Sequence, residues 1–186
     1  MISDIFTVKN VTYDLFLGRN TLNILDLTER ETGGKPVVSA RFSGDFAPLD
    51  TVINILNQFK WNLEIDYRFP DYFQFDFEGK YSGGSIKIPF AHWLTLQDLL
   101  AFLHCDSVHL ENVRVSGEEL NVFLSHFIRN SATKRLFLTA RNVDLSVVIQ
   151  GITVFDKGVD WFEIRRENGS KAEIEMKDGV FCLRTE

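Results

Sequence analysis

Cysteine and long apolar runs are both scarce in this sequence of 186 residues. No stretch approaches the roughly 20 apolar residues that cross a membrane as a helix. The first ten residues have neither the basic end nor the apolar core of a signal peptide. The two cysteines, Cys105 and Cys182, could form one disulfide, but without a secretion signal reduced thiols are the better interpretation. We therefore expect an intracellular protein, cytoplasmic or nuclear, that is not embedded in a membrane.

Positive charge is also in short supply. Lys and Arg number 20 against 26 Asp and Glu, which gives a net charge of −6. Each half of the chain, 1–92 and 93–186, carries −3, so no basic lobe is hidden in the total. A nucleic-acid-binding protein needs a basic face to displace counterions, and anionic lipid needs the same. We expect neither nucleic acid nor a membrane surface as a partner.

Motifs for catalysis, metal binding and phosphate binding are missing as well. The closest cluster of metal-ligating residue types is His104, Cys105 and His109, which has neither a CxxC nor an HxxxH spacing. There is no GxSxG, no recognisable Cys–His signature and no glycine-rich phosphate loop. Glu118 and Glu119 form a carboxylate pair, but the dipole at a helix start accounts for them. We expect no catalytic residue, no cofactor and no metal, and interpret Cys105 as a small buried hydrophobe.

The clearest structural pattern lies in residues 116–142. Ser116 and Glu119 have the spacing of a capping box at a helix start. Apolar residues then recur at helical spacing, namely Leu120, Phe123, Leu124, Phe127 and Ile128. After Asn130, residues 135–140 alternate between apolar and polar positions, which predicts a strand.

The same order of helix then strand occurs at residues 49–67, 96–113 and 117–140. The interval between the strands around Leu110 and Leu138 falls within the range of leucine-rich repeats. Strands joined by helices usually run parallel. Two interpretations stay open: a repeat-like parallel sheet, and an ordinary mixed α/β sheet with helices on one face.

Hairpin signals lie near both ends of the chain. Residues 13–27 resemble two short strands around Gly18, and residues 161–184 contain Asn-Gly and Asp-Gly turns. The predicted fold is therefore mixed α/β: helix–strand units with a partly parallel, leucine-rich-repeat-like sheet, helices on one face, and antiparallel hairpins at both ends. We expect one domain, 1–186, with an N-terminal α/β half, 1–91, and a C-terminal half, 92–186, that ends in the hairpins.

Polar side chains alternate with the apolar ones along three predicted strands. If helices cover the apolar side, the other side is a candidate partner-binding surface, which would present Asn62, Glu64, Asp66, His109, Glu111, Arg135, Phe137 and Thr139. Phe137 is the aromatic residue on this polar side and could anchor a partner. It could equally be covered by a loop. The acidic residues would favour a basic partner segment.

Three segments resemble the type-2 F-box-associated domain of nematode F-box proteins. They are LTLQDLLAFLHCDSVHLENVRVSGEELNVFLSHFIRN, with a Cys before a strand and a Ser-capped helix; WFEIRRENGSKAEIEM, the closing hairpin; and YDLFLGRNTLNI near the start. No single motif identifies the family, and it is the order of the three segments that carries the resemblance.

The resemblance implies a substrate-recognition role in a cullin-based ubiquitin ligase, and it implies no catalytic residues. In such proteins an N-terminal F-box of roughly 40–50 residues docks on a Skp-type adaptor, and the associated domain binds the target protein. Residues 1–13 do not supply an F-box, so we expect adaptor binding only through a module outside this chain. The alternatives are a small enzyme with an unrecognised site, and an inhibitory or scaffold domain without an F-box.

Overall fold

A computed structural model describes residues 11–16, 37–43, 50, 53, 56, 62–77 and 84–185. The strands in these ranges are β1 (Val11–Phe16), β2 (Val37–Ser43), β3 (Asn62–Asp66), β4 (Ser85–Ile88), β5 (Ser107–Val113), β6 (Arg135–Arg141), β7 (Val154–Gly158), β8 (Trp161–Arg165), β9 (Lys171–Lys177) and β10 (Val180–Thr185). The helices with described bounds are α1 (Leu96–Phe102), α2 (Gly117–Asn130) and α3 (Leu145–Val148).

The described strands form a single mixed sheet in the order β1-β2-β3-β4-β5-β6-β10-β9-β8-β7. Strands β1 to β6 lie side by side in chain order, and each pairs in parallel with the next. Strand β10 then pairs antiparallel with β6, and β9, β8 and β7 continue the sheet antiparallel. We call these two parts the parallel half and the antiparallel half. The predicted mixed α/β class is confirmed.

The parallel half has a regular repeat. One row of directly paired residues crosses β2 to β6, and its members are Ala40, Leu63, Ile86, Val108 and Leu136. Successive members are separated by similar lengths of chain, and the longest interval is the one from Val108 to Leu136 that contains α2. The predicted parallel pairing of helix–strand units is therefore confirmed, and the parallel half satisfies the repeat-like interpretation of the sequence.

The helices supply the apolar cover for the sheet. Helix α2 begins with the predicted capping box between Ser116 and Glu119, and α1 begins with another between Thr95 and Asp98. The inward residues of α1 and α2 are Leu99, Phe102, Leu120, Phe123, Leu124 and Phe127, all at most 1% exposed. They share one core with the apolar side chains of the strands, such as Leu110 and Leu138. Asp144 caps α3, with its side chain accepting from the Ser146 N–H at 2.9 Å.

The C-terminal hairpins match the sequence closely, with one strand missed. The β8–β9 and β9–β10 pairs connect through the predicted Asn168-Gly169 and Asp178-Gly179 turns. Asp178 and Gly179 both have positive φ, 51° and 73°, as an Asp-Gly hairpin turn requires. Strand β7, which pairs with β8, was not predicted, since four of its five residues are exposed and leave no apolar alternation.

The N-terminal hairpin prediction lies mainly outside the described residues. Its first arm overlaps β1, whose described partner is β2, in parallel. Its second arm, residues 21–27, is not among the described residues. Residues 73–77 alternate between buried and exposed side chains but form no strand. The division of the chain into halves at 91 and 92 stays a prediction.

Candidate interaction surface

The side of the sheet away from the helices carries polar side chains on alternate strand positions, and we call it the open face. It is formed by Asn62, Glu64, Asp66, Lys87, His109, Glu111, Arg135, Phe137, Thr139, Cys182, Arg184, Glu173, Glu175 and Glu163. The burial of the parallel strands alternates accordingly, with the inward positions buried and the open-face positions half-buried or exposed. All eight residues predicted to bind a partner lie on this face.

The centre of the open face is an aromatic pair. His109 on β5 and Phe137 on β6 are directly paired in register, and their rings stack with centroids 4.6 Å apart at an interplanar angle of 28°. The His109 Nε2 atom also lies 2.7 Å from the Glu111 carboxylate. The imidazole ring therefore covers part of Phe137, which is half-buried. The two rings and the carboxylate form a preorganised group that offers both an apolar surface and a charge.

Two polar residues of β3, Glu64 and Asn62, form contacts with residues of β4. The Lys87 ammonium pairs with the Glu64 carboxylate at 2.8 Å, and the Asn62 Oδ1 accepts from both the N–H and the hydroxyl of Ser85 at 2.9 Å. Asp66 lies half-buried at the end of β3. Since Lys87 lies between Glu64 and His109 in register, the negative charge of this region is lower than the sequence pattern suggested.

The last two predicted residues flank Phe137 on β6. Arg135 is exposed at the start of the strand. The Thr139 hydroxyl accepts from the backbone N–H of Asn112 at 3.1 Å, where the register between β5 and β6 shifts. Asn112 has a positive φ of 59° at this irregularity. Thr139 thus has a structural role, because it satisfies a backbone donor that the ladder leaves unpaired.

The antiparallel half extends the open face with residues that were not predicted from the sequence. Arg184 pairs with Phe137 in register, and its guanidinium contacts the Glu173 carboxylate at 2.8 Å. This ion pair raises the pKa of Arg184. Counting outward from the Asn-Gly and Asp-Gly turns would have placed Glu163, Glu173 and Arg184 opposite one another, because turn type and loop length fix the register of a hairpin.

Glu163 forms ion pairs with three cationic side chains on the open face. It is 5% exposed, and its carboxylate lies 3.0 Å from Lys157, 3.1 Å from Lys171 and 3.3 Å from Arg165. Hydrogen bonds from Lys157 and Lys171 contribute most to lowering the pKa of Glu163 to about 2. Because these cations come from β7, β8 and β9, the carboxylate joins three strands of the antiparallel half.

Metal-ligating residue types do not converge in the described part of the chain, where no group of three or more could hold a metal ion. Within the cluster singled out from the sequence, His104 is exposed and Cys105 is 3% exposed. Burial raises the pKa of the Cys105 thiol to about 11, which keeps it protonated. The interpretation of Cys105 as a buried hydrophobe is confirmed, and both cysteines are free thiols.

None of the helices in the part of the chain that the structure describes has the length and hydropathy of a membrane-spanning segment. The fold and the open face together define a mixed α/β protein with a repeat-like parallel half and an extended polar sheet surface.

Comparison with known proteins shows what the central part of this chain is similar to. A family model described as "F-box associated" matches residues 73–137, which include α1, β5, α2 and the start of β6 up to Phe137. The resemblance inferred from the sequence is confirmed over these residues. The Skn-1 dependent zygotic transcript 15 protein of the nematode Caenorhabditis elegans is 30% identical to the chain over 105 residues. That match covers 48% of this chain and 30% of the relative. No solved structure matches the chain significantly.

Proposed function

We propose that this chain is a protein-interaction module, the substrate-recognition domain of an F-box protein in a cullin-based ubiquitin ligase. The F-box associated match over residues 73–137 carries the proposal. The module would hold a target protein while other subunits transfer ubiquitin, so it needs a preformed surface and no catalytic residue. Contact with a Skp-type adaptor would be made through an F-box outside this chain, in the cytoplasm or the nucleus.

The open face is the surface that we propose for the target. Its central group, Phe137 stacked on His109 with Glu111 alongside, lies within the family match or at its end. A rigid aromatic side chain surrounded by charged groups is typical of the residues that dominate binding energy in protein interfaces. Glu111 is 40% exposed at its side chain and can still meet a basic group of a target.

A small enzyme with an unrecognised site finds less support in the described part of the chain. Cavities lined by described residues measure about 210 to 410 Å³ and open widely to the surface. The described carboxyl groups with shifted pKa all lie outside the linings of these cavities, namely Asp98, Glu118, Asp144 and Glu163. The raised pKa of Asp98 follows from its burial, and its carboxylate is used to cap α1.

The test is affinity purification of the chain from its native cell extract, followed by mass spectrometry. A parallel sample carries Phe137→Ala with Glu111→Lys, which removes the aromatic anchor and reverses a charge on the open face. We expect a protein partner that the unmodified chain retains and the double variant loses.

A matched control makes the same two kinds of change away from the open face. Val122→Ala removes a side chain that is 41% exposed on α2, and Glu167→Lys reverses an exposed charge before the β8–β9 turn. This control should keep the partner. If the open-face variant kept every partner as well, the proposed surface would be wrong. Recovery of a Skp-type adaptor through this chain alone would contradict the proposal that an F-box binds the adaptor and this chain binds the target.

A further inference from the structure

A cavity of about 410 Å³ lies at the edge of the sheet where strands β3 to β6 end. Four successive connections line it, because the parallel strands deliver their carboxyl ends to the same edge. Arg68 follows β3, Phe90 and His92 follow β4, Arg114 follows β5, and Arg141 ends β6. Crevices at the carboxyl ends of parallel strands are where α/β sheets commonly bind ligands.

The cavity is strongly basic in an acidic protein. Arg68, Arg114 and Arg141 contribute three positive charges and Asp71 contributes one negative charge, so its lining carries a net charge of about +2 when His92 is neutral. The chain as a whole carries −6. Such a reversal of sign in one concave site concentrates anions there.

Two of the three arginines are available for a ligand. The Asp71 carboxylate is shared, at 3.2 Å from Arg114 and 3.2 Å from His92. Arg68 and Arg141 are exposed, and neither side chain has an ion-pair or hydrogen-bond partner within the described residues. Their guanidinium groups therefore retain their full capacity for paired hydrogen bonds to an oxyanion.

The connections around the cavity are held in place by side chains that contact backbone carbonyl oxygens. The Asn112 side-chain amide donates to the Pro89 carbonyl at 3.0 Å, which ties the connection after β4 to the end of β5. His92 Nε2 lies 2.9 Å from the Phe69 carbonyl oxygen and ties the connection after β3 to the one after β4. The site is preorganised, so binding need not order these connections first.

We propose that this cavity binds the phosphate group of a phosphorylated serine or threonine in a partner protein. A phosphate monoester carries about −1.5 to −2 at neutral pH, which matches the charge of the lining, whereas one carboxylate would neutralise only half of it. Phe90, 37% exposed at the cavity, offers an apolar contact for a residue next to the phosphate. That the phosphate belongs to a protein rests on the proposed function of the chain as a protein-interaction module.

The experiment is a titration of the ¹⁵N-labelled full chain, followed by NMR at the arginine side chains and the backbone amides. The probes are N-acetyl-O-phosphoserine N-methylamide, the matching glutamate derivative and inorganic phosphate. We expect the phosphoserine derivative to shift the signals of Arg68, Arg141 and Asn142 and to bind more tightly than the other two probes. Arg68→Ala with Arg141→Ala should weaken its binding by about tenfold or more, because two charge-assisted contacts are lost.

Arg129→Ala with Lys177→Ala removes two exposed cations elsewhere and is the matched control. It should leave the affinity within about twofold, since distant charges are screened. Equal affinity for the glutamate derivative would overturn the preference for phosphate. Tighter binding of inorganic phosphate would overturn the protein source, and no saturable shift with any probe would overturn the site. The NMR titration does not require a captured partner protein. Its result is therefore independent of the affinity purification that tests the proposed function.

Discussion

The parallel half and the antiparallel half of the sheet obtain their order from different parts of the chain. In the parallel half, the strands from β2 to β6 pair with neighbours that are distant in sequence, and helices supply the apolar cover. In the antiparallel half, two-residue turns such as Asp178-Gly179 set the register, and charged contacts around Glu163 tie the strands together. One half therefore depends on packing between distant segments, and the other on local turns and surface ion pairs.

This difference predicts which substitutions should lower the stability of the protein most. Loss of packing under a helix removes dispersion contacts and leaves a cavity, whereas loss of an exposed ion pair is partly compensated by water. We expect single substitutions in the core of the parallel half to cost the most and substitutions at the hairpin turns to cost the least. The following predictions test that order.

Phe123→Ala should have the largest effect on stability. Phe123 lies on α2, is 1% exposed and stacks near Phe127 with ring centroids 6.3 Å apart. Removal of its ring should lower the free energy of unfolding by about 3–5 kcal/mol, as measured by chemical denaturation. Val122→Ala, on the solvent side of the same helix, should cost less than about 0.5 kcal/mol. Similar losses in the two variants would mean that α2 does not cover the sheet in the way described.

Arg166→Met should have the second-largest effect on stability, because Arg166 connects the two halves of the sheet. It is 6% exposed, donates to the carbonyls of Thr133 at 2.8 Å and of Ser131, and lies 4.7 Å over the Phe127 ring. Methionine keeps the apolar stem but leaves two carbonyls at the end of α2 without a charged donor. The expected loss in the free energy of unfolding is about 2–4 kcal/mol.

The neighbouring Arg165 is the control for Arg166. Arg165 is exposed and contacts Glu163 and the Phe155 ring, so Arg165→Met should cost at most about 1 kcal/mol in the same denaturation experiment. If Arg165→Met cost as much as Arg166→Met, the junction between the halves would not depend on the buried guanidinium.

The sequence predicted the secondary structure of both halves, but it predicted the strand register only where a short turn sets it. The capping boxes and apolar periodicity of α2 and the Asp-Gly turn of β9–β10 are local signals, so helices, strands and hairpins could be placed. The register between β5 and β6 depends on contacts between segments that the whole of α2 separates, and no local pattern fixes it. The sequence placed eight residues, seven polar ones and Phe137, on the open face but could not show that Lys87 and Ser85 contact Glu64 and Asn62.

The basic cavity was missed for the same reason. Arg68, Arg114 and Arg141 are far apart in sequence, and only the parallel stacking of their strands brings them to one edge of the sheet. The missed strand β7 is a different case. Its side chains are mostly exposed, so it carries no apolar alternation, and only its pairing with β8 identifies it.

Glu163→Gln should have a smaller, pH-dependent effect. The folded state lowers the pKa of Glu163 from 4.5 to about 2, so its stabilising contribution is fully present above pH 4.5. That contribution is lost as the pH falls from about 4.5 toward 2. The variant should therefore be less stable than the unmodified chain at pH 7, and the difference should shrink at pH 3.

Thermal denaturation of both proteins at pH 7, 5 and 3 checks this dependence. We expect a loss at pH 7 below that of Arg166→Met, because Lys157, Arg165 and Lys171 are half exposed and screened by water. Glu175→Gln, on the neighbouring strand β9, is the control and should show a much weaker pH dependence. A difference at Glu163 that stayed constant from pH 7 to pH 3 would show that the carboxylate charge is not what joins the strands.

The smallest effect is expected at the β8–β9 turn. Gly169 has a φ of +84°, and a Cβ there would meet nothing within 4 Å, so Gly169→Ala would be strained only by its backbone. The expected cost is about 1 kcal/mol, measured by chemical denaturation. Gly158→Ala is the matched control, since Gly158 lacks a positive φ and its nearest contact to a new Cβ would be the Trp161 ring at 3.7 Å. If the two alanine variants were equally stable, the Asn-Gly turn would not set the register of the antiparallel half, and the packing of β8 and β9 against the core would have to do so.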